Sequence, residues 1–123
     1  MAKKILIVED DKNINMMIQL ILKNKKLDWE FRSGRDAEEA LEVLKTFKAD
    51  LVLVDLMLPK MDGAELIKKI KADTSLAHCR LAVLTATKDE TLMARAKAAG
   101  VRDLWMKPIL PDVLFTNIAA LLG

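Results

Sequence analysis

The residues of this sequence best suited to chemistry are polar side chains that each follow a short apolar run. They are Glu9, Asp10, Asp55, Thr85 and Lys107. Crowded carboxylates repel one another, so they stay ionised together only when a cation lies among them. A hard divalent ion such as Mg²⁺ suits oxygen ligands and commonly shares its remaining positions with a phosphate. The set therefore predicts phosphate chemistry, provided that the fold brings these positions together.

Asp55 is the candidate nucleophile within this set, because it directly follows the strongly apolar run 51–54. A carboxylate can attack phosphorus to give an acyl phosphate, and phosphoryl transfer needs mainly positioning and charge neutralisation. Lys107 would pair with phosphoryl oxygens, and the Thr85 hydroxyl would donate to another of them. Each residue alone has an ordinary explanation, such as helix capping, so only the combination indicates chemistry.

Five apolar runs predict strands that would position these residues. The runs are 5–8, 27–31, 51–54, 81–84 and 101–106. Stretches with apolar residues at helical spacing lie between them, and a fifth helix is predicted from Pro111 to Leu122. This alternation requires parallel strands joined by right-handed crossovers. We expect an α/β fold: a doubly wound, flavodoxin-like sheet of five parallel strands in the order 2-1-3-4-5, with five helices.

The predicted strand order places the polar residues at one edge of the sheet. Ligands of open α/β sheets bind beyond the carboxyl ends of the strands, where the strand order reverses, here between the first and third strands. The segment 28–32 alternates in polarity, which is typical of an edge strand. Asp11 or Asn13 would cap the first helix. The methionines are interpreted as core filling and loop anchoring.

Composition limits the class of protein. The 123 residues, 52% hydrophobic and 31% charged, predict one domain over residues 1–123. A net charge of +2 gives no strong field for nucleic acid or for a membrane surface. Cys79 has no second cysteine to pair with, and the apolar run 5–8 is too short for export or for spanning a bilayer. We therefore expect a cytoplasmic protein without direct nucleic-acid or membrane binding.

The sequence resembles the receiver domain of bacterial two-component response regulators over essentially its whole length. The motifs that agree in order and spacing are 5–11 (ILIVEDD), 51–63 (LVLVDLMLPKMDG), 81–86 (LAVLTA), Gly100, and Lys107-Pro108. The resemblance implies a phosphorelay switch that accepts a phosphoryl group on Asp55. The donor would be a histidine kinase, a phosphotransfer protein or a small molecule. Phosphorylation would change a surface that binds a downstream target protein.

The resemblance also implies a metal site and a conformational switch. Mg²⁺ would be bound by Asp10, Asp55 and the backbone carbonyl of Met57, with Glu9 acting through water. The Lys107-Pro108 bond would be cis and would aim the lysine into the cleft. Thr85 would move toward the phosphoryl group.

The second switch position departs from the family pattern. In the family an aromatic residue lies three positions before the lysine, and here that position is Leu104. The usual aromatic read-out is therefore not expected. Trp105 should face the other side of the sheet by simple alternation.

Several alternatives stay open at the level of sequence. A phosphatase of the haloacid dehalogenase superfamily would need a second aspartate where Met57 stands. A nucleotide- or flavin-binding domain would need a glycine-rich or hydroxyl-rich loop in place of residues 9–11. A receiver that has lost phosphorylation would bind partners only. We favour a stand-alone, monomeric regulator over an excised domain, one that promotes its own phosphotransfer and dephosphorylation but is not an enzyme.

Overall fold

Strands and helices alternate along the whole chain, as the periodic apolar pattern predicts. The computed structural model describes residues 2–25 and 28–123. In chain order its strands and α-helices are β1 (Lys4–Val8), α1 (Lys12–Lys25), β2 (Glu30–Gly34), α2 (Ala37–Leu44), β3 (Leu51–Val54), α3 (Gly63–Ala72), β4 (Arg80–Thr85), α4 (Glu90–Ala98), β5 (Asp103–Met106) and α5 (Pro111–Leu122). Across residues 2–25 and 28–123, no helix is both long and apolar enough to cross a bilayer.

All strand pairs are parallel, and the sheet order is β2-β1-β3-β4-β5, which confirms the predicted fold class. Side chains on successive strand positions point to opposite faces. Leu6 and Val8 of β1 therefore pack with helices α2, α3 and α4, whereas Ile5 and Ile7 pack with α1 and α5. Because both faces are covered by helices, β3 is apolar at every position and β1 is apolar at every position after Lys4.

The second strand lies later in the sequence than predicted. β2 begins at Glu30, opposite Lys4, and ends at Gly34, opposite Val8. Trp29 precedes the strand and stacks on Phe115 of α5 with the ring centroids 5.5 Å apart. Part of the predicted apolar run therefore contacts a helix, and its first residue, Leu27, lies outside the described residues. The edge position of β2 was predicted correctly.

The interpretation of the methionines as core filling and loop anchoring is only partly correct, because Met61 and Met93 pack against the core while the other four described methionines are exposed. None of the six methionines within the described part of the chain is buried, and four of them are exposed. The exposed ones are Met16, Met17, Met57 and Met106. The buried core is built mainly from leucine, isoleucine, valine and alanine. Flexible thioether side chains are thus available at the surface, where methionine often serves adaptable contacts.

Aspartates cap the first turns of helices α1 and α3 at the carboxyl edge of the sheet. The Asp11 side chain accepts hydrogen bonds from the N–H groups of Asn13 and Ile14 (2.9 and 3.1 Å), so Asp11 caps α1. Asp62 caps α3 in the same way and also accepts a hydrogen bond from Arg95 of α4 at 2.9 Å. Helix α4 buries only one of its residues, Ala96.

Gly63, at the start of α3, lies against the backbone that carries Asp55. A Cβ atom at position 63 would lie 2.5 Å from the Asp55 carbonyl oxygen and 2.7 Å from the Leu56 Cα atom. Gly63→Ala should therefore lower the free energy of unfolding by about 2–3 kcal/mol, because backbone must shift to admit the methyl group. Chemical denaturation of both proteins would measure this loss.

Gly100→Ala is the matched control. Gly100 has a φ of +114°, and its added Cβ would meet only the flexible Lys71 side chain, at 3.1 Å. The left-handed conformation should cost alanine about 1 kcal/mol. Equal losses in the two variants would contradict the close approach at Gly63.

Candidate functional site

The structure brings all five of the predicted polar side chains together at the carboxyl edge of the sheet. Thr85 is the last residue of β4, and its hydroxyl donates a 2.8 Å hydrogen bond to Oδ1 of Asp55. Lys107 follows β5, and its Nζ donates to Oδ2 of Asp55 at 3.0 Å and also to Oε1 of Glu9. Both oxygens of the Asp55 carboxylate therefore have a side-chain donor.

The three carboxylates form a compact cluster. Glu9, Asp10 and Asp55 each offer an oxygen, and these oxygens lie within 4.8 Å of one another. Glu9 and Asp55 are buried, whereas Asp10 is exposed to solvent. An all-oxygen donor set that is open on one side fits a hard divalent cation that keeps part of its water shell. The residues present therefore fit a site of the Mg²⁺ type.

Met57 contributes to the site through its backbone. Its N–H donates a 3.0 Å hydrogen bond to Oδ1 of Asp55, while its side chain is 55% exposed. The role of its carbonyl as a metal ligand stays a prediction.

The surroundings of Asp55 favour its ionised form. Burial raises the pKa of a carboxyl group, but the hydrogen bonds from the Met57 N–H, the Thr85 hydroxyl and the Lys107 ammonium outweigh burial and hold the pKa of Asp55 below its ordinary value. The carboxylate is therefore charged at neutral pH. A charged carboxylate is the form that can act as a nucleophile.

The pKa values of Glu9 and Lys107 are both raised in this cluster, but for different reasons. Burial raises the pKa of Glu9, and the negative charge of Asp55 adds to this effect, despite the hydrogen bond from Lys107. Burial lowers the pKa of Lys107, but its bonds to the two carboxylates prevail and raise that pKa above its ordinary value. Lys107 is therefore positively charged at neutral pH, between two acidic side chains.

The predicted switch positions lie where alternation places them. Thr85 is fully buried, and the peptide bond between Lys107 and Pro108 is cis, as predicted. Leu104 packs with the core under α2, α3 and α4, whereas Trp105 packs with the opposite core. The prediction that Trp105 faces away from Leu104 is therefore confirmed.

Asn15 was missed at the level of sequence, although a signal was present. It lies on α1 three residues before Ile18 and seven before Leu22, and all three side chains are buried. A polar residue on an apolar helical stripe needs hydrogen-bond partners in the core. The Asn15 side chain hydrogen-bonds to Ile7 of β1 and to Ser33 of β2, close to the loop that carries Glu9 and Asp10.

Comparison with known families agrees with this geometry. A sequence model described as "Response regulator receiver domain" matches residues 5–119. The chain belongs to this family. The receiver domain is the unit that two-component signalling phosphorylates on an aspartate.

Curated relatives of this receiver domain include full-length regulators and a kinase. The DNA-binding response regulator MtrA of Mycolicibacterium smegmatis is 31% identical over 98% of the chain and 50% of its own length. The regulatory protein PhoP of Bacillus subtilis is 33% identical over 99% of the chain and 49% of its own length. The sensor histidine kinase TmoS of Ectopseudomonas mendocina is 30% identical over 98% of the chain and 12% of its own length. The chain spans about half the length of the first two relatives.

Solved receiver structures superpose closely on this receiver domain. A CheY-like receiver domain protein from Methanospirillum hungatei gives a TM-score of 0.89 at 29% identity, over 99% of this chain and 94% of that chain. The phosphorylated cyanobacterial phytochrome response regulator RcpA gives a TM-score of 0.84 at 31% identity, over 98% of this chain and 91% of that chain. The fold and the family are therefore shown by sequence and by structure together.

Proposed function

We propose that this chain is a phosphorelay switch in which Asp55 accepts a phosphoryl group from a histidine kinase or a phosphotransfer protein. The observation that carries the proposal is the buried Asp55 carboxylate, with Thr85 donating to one oxygen and Lys107 to the other. A phosphoryl group attached there would meet a hydroxyl donor and a fixed positive charge. Such prepositioned donors stabilise the charge that develops on phosphoryl oxygens.

The transfer step uses Asp55 as the nucleophile. One carboxylate oxygen forms a bond to phosphorus while the bond from phosphorus to the donor's imidazole nitrogen breaks, and the bonding electron pair stays on that nitrogen. No general base is needed, because the attacking carboxylate is already ionised. The Lys107 ammonium then pairs with a phosphoryl oxygen in place of Asp55.

The cation of the proposed site is Mg²⁺. Asp10, Asp55 and the Met57 carbonyl would hold it, with Glu9 acting through water, and when bound it neutralises charge on the phosphoryl oxygens. The clustering of three carboxylates within 4.8 Å supports this assignment.

Mg²⁺ should stabilise the folded protein. At about ten times its dissociation constant it should add about 1.4 kcal/mol to the free energy of unfolding, because only the folded chain assembles the carboxylates. For a domain of this size, the melting temperature should rise by about 5 °C in a thermal scan. Asp10→Asn should remove most of this shift, and an undiminished shift in that variant would place the cation elsewhere.

The output of the switch would be a changed protein-binding surface. We propose that Thr85 moves toward the phosphoryl group and that Leu104, partly buried on the neighbouring strand β5, repacks without the aromatic side chain that is usual at that position. The partner would be a downstream target protein, and the domain, residues 1–123, would act as a cytoplasmic monomer that does not itself bind nucleic acid.

Mapping the phosphorylated residue tests the proposal. The protein is incubated with acetyl phosphate with and without Mg²⁺, and the phosphoryl group is located by peptide mass spectrometry after borohydride reduction of the acyl phosphate. We expect modification of Asp55 alone, dependent on Mg²⁺ and reversed by hydroxylamine. Modification of another residue, or incorporation indifferent to Mg²⁺, would refute the assignment.

A further inference from the structure

A side-chain hydrogen bond closes the base of the loop that carries the acidic pair. Asn15 on the first turns of α1 donates through Nδ2 to the carbonyl oxygen of Ile7 on β1, at 3.2 Å. Residues 8–14 connect these two points, and the loop within this segment is residues 9–11, which include Glu9 and Asp10. The entry of the loop from the sheet and its exit into the helix are therefore joined directly.

The same asparagine ties the loop to the edge strand. Its Oδ1 accepts hydrogen bonds from Ser33 Oγ at 3.0 Å and from Gln19 Nε2 at 2.9 Å. Next to Ser33, the carbonyl of Gly34 accepts a 2.9 Å hydrogen bond from the N–H of Glu9. Both ends of the acidic loop are thus attached to β2 as well as to β1.

The two acidic side chains differ in how firmly they are held. Glu9 is buried, accepts from Lys107 and accepts a 3.1 Å hydrogen bond from the Asp11 N–H. Asp10 is exposed, so its carboxylate is placed mainly by the path of its backbone. A constraint on the base of the loop therefore matters more for Asp10 than for Glu9.

Asn15 itself is only 5% exposed, on a stripe that otherwise carries Ile18 and Leu22. Burying an amide in place of an apolar side chain is unfavourable unless every polar atom is paired. A fully paired polar group in a core fixes one arrangement of the elements that it joins. Here the joined elements are α1, β1 and β2, and the feature that they orient is the acidic loop.

From these contacts we propose that Asn15 is a positioning residue for the cation site. Its hydrogen bonds go to Ile7, Gln19 and Ser33 and not to the carboxylates, and it acts by holding the loop so that Asp10 stays within reach of Asp55. This inference rests on the proposed Mg²⁺ site. Hydrogen-bonded residues behind metal ligands commonly control affinity without touching the metal.

The test measures cation binding with no phosphoryl donor present. Mn²⁺ is titrated into the protein, the free ion is followed by electron paramagnetic resonance, and Mg²⁺ is added as a competitor. Asn15→Leu and Asn15→Ala should each raise the dissociation constant about tenfold. With acetyl phosphate added, the Mg²⁺ concentration for half-maximal phosphorylation should rise to the same extent, while the plateau rate stays within about twofold of the parent.

Gln19→Leu is the matched control, because Gln19 contacts Asn15 and Ser33 but lies outside the bond to Ile7. It should change the dissociation constant by less than about twofold. A tenfold loss in Gln19→Leu would overturn the role assigned to the Asn15–Ile7 bond. So would unchanged cation binding in the Asn15 variants alongside a lower melting temperature, or failure of both variants to fold, since Asn15 would then serve stability alone.

The parent protein separates this inference from the proposed function. If the parent binds Mn²⁺ and the Asn15 variants bind it with the same affinity, only the role of Asn15 is overturned. A parent that binds no divalent cation overturns the metal site and the role of Asn15 together, and phosphorylation of Asp55 is then judged by the mapping experiment.

Discussion

Asp55→Asn should abolish phosphorylation, reducing the initial rate of incorporation from acetyl phosphate by at least about 10³-fold. The amide has nearly the shape of the carboxylate but lacks the negative charge that makes the oxygen a nucleophile. The hydrogen bonds from Thr85 and Lys107 to the oxygens of this side chain show how closely the site is built around it. Intact-protein mass spectrometry over a time course would measure the effect.

Asp11→Asn is the control for this loss. Asp11 belongs to the same acidic loop, but its side chain caps α1 and is exposed. An asparagine can cap equally well, so the phosphorylation rate should stay within about threefold of the parent. Persistent incorporation in Asp55→Asn, or an equally deep loss in Asp11→Asn, would contradict the assignment of Asp55.

Lys107→Met should slow phosphorylation on the order of 10²-fold at saturating Mg²⁺. The substitution keeps a long side chain but removes the positive charge that lies between Glu9 and Asp55. Repulsion between these buried acids then increases, and the developing charge on the phosphoryl oxygens loses a partner. The control is Lys88→Met, an exposed lysine whose loss should leave the rate within about twofold.

The pH dependence of the Lys107 variant gives a second measurement. In the parent, burial raises the pKa of Asp55, but hydrogen bonds and the positive charge of Lys107 outweigh burial and hold that pKa below its ordinary value, so the acceptor stays ionised in mildly acidic solution. In Lys107→Met burial still raises that pKa while the lysine no longer lowers it. The rate between pH 7.5 and 5 should therefore fall more steeply in the variant, and parallel profiles would contradict this account.

The fold could be predicted because its pattern has few physical solutions. Five apolar runs separated by amphipathic helices require parallel strands with crossovers, and the topology of such sheets is strongly restricted. The polar residue at the end of each strand then falls at a common edge. Asp55 after β3, Thr85 at the end of β4 and Lys107 after β5 could be grouped on this argument alone.

The limits of β2 could not be predicted, because its second half carries little β propensity. Arg32, Ser33 and Gly34 form strand only through their pairing with Leu6, Ile7 and Val8. Such pairing depends on tertiary contacts and overrides local preference.

The hydrogen bonds between side chains of the site could not be predicted from the sequence either. Lys107 bonds to Glu9 across 98 positions of the chain, and Asn15 bonds to Ser33 across 18. Spacing shows that such residues reach the same edge, but side-chain geometry decides which atoms meet. The methionines illustrate the same limit, since the sequence suggested core filling, whereas only Met61 and Met93 among the described methionines pack against the core.

The sparse packing of α4 sets how readily this helix can be displaced. Helix α3 buries five of its residues, whereas α4 buries Ala96 alone and is linked to α3 by half-exposed contacts from Arg95. Solvent-exposed ion pairs of this kind contribute roughly 1 kcal/mol or less. Local opening of α4 should therefore lose less buried apolar contact than opening of α3, and we expect its backbone amides to be less protected against hydrogen exchange than those of α3. We therefore expect α4 to be the helix beside α3 that is displaced more easily.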